Sequence, residues 1–218
     1  MLKAVLFDMD GVLVDTEPEY QRVDIQLASE LGFTLTPEEQ SSYVGVSMLE
    51  TWRSLQQKYG FTQDPLTVVQ KETAHMQRYY EGGDLCVYEA SVALLKSCAA
   101  AGLKVAVATS SEQPIAECVV RRLGLADLVD AVVSSSMTKR SKPAPDIFLL
   151  AMERLGVAGS ECVVVEDADS GIAAAIAAGA GKVIGLRHPI GRQTLSGADL
   201  VVDSLADVTV QQLRAMLE

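Results

Sequence analysis

Asp8 and Asp10 stand two residues apart at the close of the apolar run 4–7, with Gly11 directly after them. Alternate residues of a strand share a face, so both carboxylates can look into one pocket just past the strand's end. Two acids that close repel each other, and the repulsion is relieved either by a cation between them or by a proton on one of them. Oxygen ligands of this kind suit Mg²⁺, which is usually held by one or two carboxylates plus a substrate phosphate. In both cases the two acids differ in chemistry, so one can attack while the other handles a proton. The plain alternative is a strand-to-loop turn, where Asp and Gly are ordinary residues.

Three later stretches carry groups that could complete such a site. The run 105–108 ends in Thr109-Ser110-Ser111. Hydroxyls there, beside the exposed N–H groups of a new helix, form an anion site suited to a phosphoryl group. Capping of that helix by Ser110 or Ser111 explains the same residues without a ligand. Lys139, Arg140 and Lys142 precede a helix that Pro145 can start. A lysine facing Asp8 would keep it ionised and neutralise charge on transferring oxygens, whereas a lone lysine is ordinarily a solvated surface group. Finally, the run 162–165 ends in Glu166-Asp167-Ala168-Asp169-Ser170-Gly171. Carboxylates at that neighbouring strand end can meet Asp8 and complete an oxygen cage for Mg²⁺; helix capping accounts for Asp169 or Ser170 without a metal.

The elements that must position these groups are strands alternating with helices. Apolar runs at 103–108, 131–133, 162–165, 182–186 and 200–202 join the first strand to make six. Such alternation predicts an α/β fold with a Rossmann-like core and a mostly parallel sheet. Between the first two strands the period changes to that of helices. Tyr20, Val23, Leu27 and Leu31 fall on one face of a helix closed by Gly32. Further helices are expected over 37–43 with Thr36 as N-cap, over 47–59 closed by Gly60, and over 65–80 closed by Gly82-Gly83. The expected organisation is a phosphotransfer core of residues 1–14 and 85–218 and an all-helical cap of residues 15–84, with a hinge at the two crossings, 15–17 and 81–84.

A formal net charge of −11 argues against a nucleic-acid binder, which needs a basic face. It also requires that local positive charge toward an anionic substrate come from a metal, a lysine or a helix N-terminus. No stretch is apolar enough to span a bilayer, and Met1-Leu2-Lys3 runs straight into a strand, so a cytoplasmic location with no membrane partner is expected. The 4 cysteines lack metal-type spacing and are expected as buried, reduced thiols. With only 2 histidines, a His-rich zinc centre or a Ser-His-Asp triad is not expected.

Phe7-Asp8-Met9-Asp10-Gly11-Val12-Leu13-Val14-Asp15-Thr16-Glu17 resembles the first motif of the haloacid dehalogenase-like superfamily of phosphotransferases, in the branch of β-phosphoglucomutase and many small-molecule phosphatases. Thr109, Lys142-Pro143-Ala144-Pro145-Asp146-Ile147-Phe148 and Val165-Glu166-Asp167-Ala168-Asp169-Ser170-Gly171-Ile172 resemble its second, third and fourth motifs, in the family's order. The resemblance implies Asp8 as nucleophile, Asp10 as general acid/base, Thr109 and Ser110 at the phosphate, and Lys142 beside Asp8. It implies Asp8, Asp10, Glu166 and Asp167 around Mg²⁺, with Asp167 a ligand and Glu166 a water-mediated or lysine-pairing partner.

The implied activity is Mg²⁺-dependent hydrolysis of a small-molecule phosphate ester, sugar phosphates first, by a monomer or weak homodimer acting through an aspartyl-phosphate. Glu17, Ser47 and Met48 are the cap residues expected to meet the substrate, within a specificity stretch over 43–52. Two departures favour a phosphatase over a β-phosphoglucomutase-type phosphomutase. Met48 replaces the arginine that suits a second phosphate, and Tyr20 replaces a hinge histidine. Val87-Tyr88-Glu89-Ala90 lacks the Pro-Gly usual at cap re-entry. A phosphoacceptor signalling domain is a further alternative, disfavoured by the long insertion and by Asp10, which is placed to activate water.

Overall fold

The computed structural model describes residues 1–43, 46–188 and 193–218. Val44 and Gly45, part of the expected specificity stretch, lie outside them. The first elements in chain order are β1 (Ala4–Phe7), β2 (Val14–Asp15), α1 (Glu17–Glu30), α2 (Pro37–Gln40), α3 (Met48–Tyr59), α4 (Pro65–Gly82) and β3 (Cys86–Val87). They are followed by α5 (Glu89–Ala100), β4 (Lys104–Thr109), α6 (Gln113–Arg122), β5 (Ala131–Ser134), α7 (Asp146–Leu155), β6 (Cys162–Glu166), α8 (Asp169–Ala177), β7 (Lys182–Leu186), β8 (Leu200–Val202) and α9 (Val210–Ala215). None of the described helices is long and apolar enough to cross a membrane. The chain divides into two compact units, Met1–Asp15 with Cys86–Glu218, and Thr16–Leu85.

In the first unit six strands form a parallel sheet in the order β5-β4-β1-β6-β7-β8. β1 lies between β4 and β6, with Ala4 opposite Lys104 on one side and Cys162 on the other. All residues of β1 and β6 are buried, which is why both read as unbroken apolar runs: each face of a parallel sheet is covered. On one face Leu6, Ala106 and Val164 join Phe148, Met152 and Leu155 of α7 and Ile172 and Ala175 of α8 in a single cluster. The strand sequence runs outward from β1 through β4 to β5 and resumes at β6 on β1's other side. In such sheets the crevice at the carboxyl ends of the two strands flanking the reversal is where ligands bind. A second, antiparallel ladder pairs β2 with β3, Val14 opposite Val87. It has two residues per strand, too few to leave a period in the sequence.

The helical unit is built from local signals. Ser47 accepts from the Glu50 N–H to start α3, and Gly60 ends it at φ 73°. Thr36 caps α2 through the Glu39 N–H, but α2 ends at Gln40 and a 3₁₀ turn, Ser41–Tyr43, replaces the rest of the expected helix. α4 runs on to Gly82, so Glu81 and Gly82, expected in a hinge, are helical. Trp52, Leu55, Val68, Met76 and Tyr80 fill the core of this unit.

That core also encloses two acids. Asp24 is 6% and Glu72 2% exposed. Gln40 Nε2 donates to Asp24 Oδ2 at 3.1 Å and Trp52 Nε1 to Glu72 Oε2 at 2.6 Å, while Asp24 Oδ1 and Gln40 Oε1 are buried acceptors lacking a donor among the described residues. Burial pushes the Asp24 carboxyl up to about 6 and the Glu72 carboxyl up to about 8, where the neighbouring Asp24 adds to the rise. A folded state that holds protons more tightly than the unfolded chain loses stability as pH rises from the ordinary carboxylate range through these values. The thermal midpoint therefore falls from pH 4.5 to 8 by more in the wild type than in Glu72→Gln, the excess lying mostly above pH 6. Parallel curves for the two proteins, measured by scanning calorimetry, would contradict this.

Candidate active site

The carboxyl ends of β1, β4 and β6 bring the separate stretches together within the first unit. Asp8 is the residue after β1; its N–H donates to Val165 O at 2.9 Å, which fixes it against β6. Lys142, from the loop before α7, places Nζ 2.5 Å from Asp8 Oδ1, 2.5 Å from Glu166 Oε1 and 3.1 Å from Ala108 O. Its side chain is 7% exposed and its ammonium lies 5.1 Å from the ring centroid of buried Phe148. Arg140 is outside this group and clamps Asp146 at the start of α7.

Glu166 uses both oxygens: Oε1 accepts from Lys142, and Oε2 accepts from the Asp167 and Ala168 N–H groups at 3.1 and 3.3 Å. A Cβ at Gly171 would overlap its carboxylate, so the glycine is what lets the first turn of α8 pass so close. Carboxylate oxygens of Asp8, Glu166 and Asp167 lie within 4.8 Å of one another. Gly11, at φ 80°, closes the other side: a Cβ there would stand 2.2 Å from Asp167 Oδ2.

Asp10 stands apart from those three. Its Oδ2 accepts from Ser111 Oγ at 2.6 Å and from Thr109 Oγ1 at 3.2 Å, and the Ser111 N–H donates to Thr109 Oγ1. Asp10, expected among the metal residues, is here a carboxylate held by hydroxyls at the end of β4 and lies outside the close group of Asp8, Glu166 and Asp167. Ser110, expected at the phosphate, is exposed, and Ser111, which the sequence reading did not place in the site, is buried and bonded to Asp10. Neither serine caps α6, whose N-cap is Glu112. Likewise Ala168 is the N-cap of α8, and Asp169 accepts from the N–H and hydroxyl of Thr194. Among the cysteines, 98, 118 and 162 are buried thiols, but Cys86 is exposed. Glu17, Ser47 and Met48 belong to the helical unit, where Glu17 begins α1, Ser47 caps α3 and Met48 begins it.

The electrostatics are one-sided. Burial pushes the Asp8 carboxyl up; Glu166 and Asp10 add to the rise and Lys142 opposes it. Burial, then Glu166 and Asp8, push Asp167 up as well. Burial works against the Lys142 ammonium, but Asp8 and Glu166 outweigh it and hold it protonated. One ammonium thus faces more carboxylates than it can neutralise. The all-oxygen set of Asp8, Glu166 and Asp167 fits a hard divalent cation, which would relieve the excess.

A family profile described as haloacid dehalogenase-like hydrolase matches residues 2–179. Hexitol phosphatase A of Escherichia coli is 33% identical over 95% of this chain and 94% of its own. Protein SUPPRESSOR OF QUENCHING 1, chloroplastic, of Arabidopsis thaliana is 31% identical over 97% of this chain, which spans only 20% of that protein's length. The crystal structure of CbbY from Rhodobacter sphaeroides in complex with phosphate superposes with a TM-score of 0.86 at 25% identity, covering 98% of this chain and 100% of that one. Other relatives include phosphatases of phosphorylated carbohydrates and a β-phosphoglucomutase.

Proposed function

The chain belongs to the haloacid dehalogenase-like hydrolases and is a phosphatase of that family, and from that premise we propose that it hydrolyses a small phosphorylated sugar with Mg²⁺ as its cation. The observation that carries the reading is the buried Asp8 carboxylate gripped by Lys142 and Glu166's network, with Asp10 on separate hydroxyls beside it. Two acids with different partners divide the labour of attack and proton transfer.

In the proposed reaction a carboxylate oxygen of Asp8 attacks phosphorus in line, the bond from phosphorus to the alcohol oxygen breaks, and Asp10 protonates the departing oxygen. In the second half Asp10 takes a proton from water, whose oxygen attacks the aspartyl-phosphate, and the bond to Asp8 breaks to release orthophosphate. Lys142 favours the ionised form of Asp8 against the effect of burial and neutralises charge on the transferring oxygens. Thr109 exchanges its bond to Asp10 for one to a phosphoryl oxygen, while Ser111 keeps Asp10 oriented. Asp8 and Asp167, with Glu166 beside them, would hold the Mg²⁺, which would supply positive charge to the same oxygens when bound. Choice among esters is assigned to Glu17, Ser47 and Met48. Met48 offers no charge to a second phosphate, which favours hydrolysis over the phosphomutase reaction. The proposed setting is the cytoplasm, as a monomer or weak homodimer.

A panel of phosphorylated sugars, glucose 1-phosphate isomers included, assayed with Mg²⁺ and with a chelator, tests this. Orthophosphate is expected from at least one ester in the presence of Mg²⁺ and none in the chelator. Isomerised sugar phosphate would move the assignment to a mutase. A phosphoprotein stable for minutes or longer without turnover would move it to a phosphoacceptor.

A further inference from the structure

His188 follows β7 and entered neither the sequence motifs nor the reaction above. Its Nε2 lies 2.6 Å from the carbonyl oxygen of Gly11, an atom that can only accept, so this nitrogen carries a proton and donates it. The same Nε2 is 3.6 Å from Asp167 Oδ2. On the far side of the ring, Nδ1 lies 3.2 Å from the Tyr88 hydroxyl, and the two rings stack with centroids 5.1 Å apart and planes 29° from parallel. Tyr88 is tied down in turn: its N–H donates to Leu13 O at 3.0 Å.

These contacts form a strut from β2 and β3 to the point where the turn after β1 meets the loop after β6. That point has little slack. Gly11 passes so close to Asp167 that even a methyl group could not be placed between them. A rotation of the Gly11 peptide would therefore shift Asp167 relative to Asp8, two members of the oxygen set that reach the site from different strands. Groups behind metal ligands commonly set ligand orientation, and their loss costs about 10- to 100-fold in metal affinity or activity.

We propose that His188 is a positioning residue which, braced by Tyr88, holds the Gly11 carbonyl and the Asp167 carboxylate in the register that binds the divalent cation. This rests on the metal-dependent reading given above. The test uses His188→Ala, His188→Gln and Tyr88→Phe, with Mg²⁺ affinity measured by calorimetry without substrate, kcat and KM at saturating Mg²⁺, and the thermal midpoint of the metal-free protein. His188→Ala is expected to weaken Mg²⁺ binding about tenfold and to lower kcat with little change in KM. Glutamine retains an N–H donor and should recover most of the affinity; Tyr88→Phe keeps the stack, loses the hydroxyl and should fall between. Wild-type Mg²⁺ affinity in His188→Ala would overturn the proposal, as would affinity losses in all three variants that merely follow their thermal midpoints. A wild-type protein that neither binds Mg²⁺ nor releases phosphate would overturn the metal-dependent reading first, and this one with it.

Discussion

Asp8→Asn releases no measurable phosphate from any ester that the wild type hydrolyses, a fall of at least about 10⁴-fold, while remaining folded. The substitution keeps the shape of the side chain, and the amide oxygen can still accept from Lys142. What it removes is the anionic oxygen that forms the bond to phosphorus, and an amide cannot replace it. The fold is spared because Asp8's backbone N–H still meets Val165 O and Lys142 still has Glu166. Burial and the neighbouring Glu166 and Asp10 already disfavour a charge at Asp8, so the thermal midpoint is expected to hold or rise. Phosphate release, a melting curve and Mg²⁺ titration on one preparation suffice. A well-folded variant that turns over substrate would remove Asp8 from the nucleophile's role.

Lys142→Met is expected to lower kcat by about 10² to 10³, the usual cost of removing one donor aimed at developing charge. Unlike Asp8→Asn it should also weaken the fold, by about 3–5 kcal/mol in metal-free protein, because two carboxylates that shared one ammonium are left buried and facing each other. Methionine fills much of the same space against Phe148, so lost volume does not account for the effect. The double variant Lys142→Met/Glu166→Gln separates the two roles. Removing one of the stranded charges should recover stability, and kcat should stay low because no cation has been returned to the transferring oxygens. Recovery of rate together with stability would show that Lys142 serves packing and charge balance only.

Most of the architecture could be read from the chain because it is written in local pattern. β1 and β6 are buried on both faces and therefore carry unbroken apolar runs, and Thr36, Ser47, Gly60 and Gly32 mark helix ends by side-chain capping or left-handed backbone. The sites at strand ends were legible for the same reason: a carboxylate or hydroxyl directly after an apolar run must sit at the rim of a parallel sheet. Element ends were less legible. α2 stops at Gln40 and α4 continues to Gly82, because packing within the helical unit sets where each chain segment leaves its helix.

What the sequence determined by itself was which groups reach the rim: Asp8, Asp10, Thr109, Lys142, Glu166 and Asp167 each follow or precede a recognisable strand or helix. Only the tertiary structure decided who meets whom. It placed Lys142 between Asp8 and Glu166, turned Asp10 away to Thr109 and Ser111, and brought His188 across 177 positions to the carbonyl of Gly11. The physical reason is one of range. Burial and backbone conformation are imposed residue by residue and leave a period or a cap in the chain, whereas a hydrogen bond between distant loops depends on strand order and register, which no short stretch encodes.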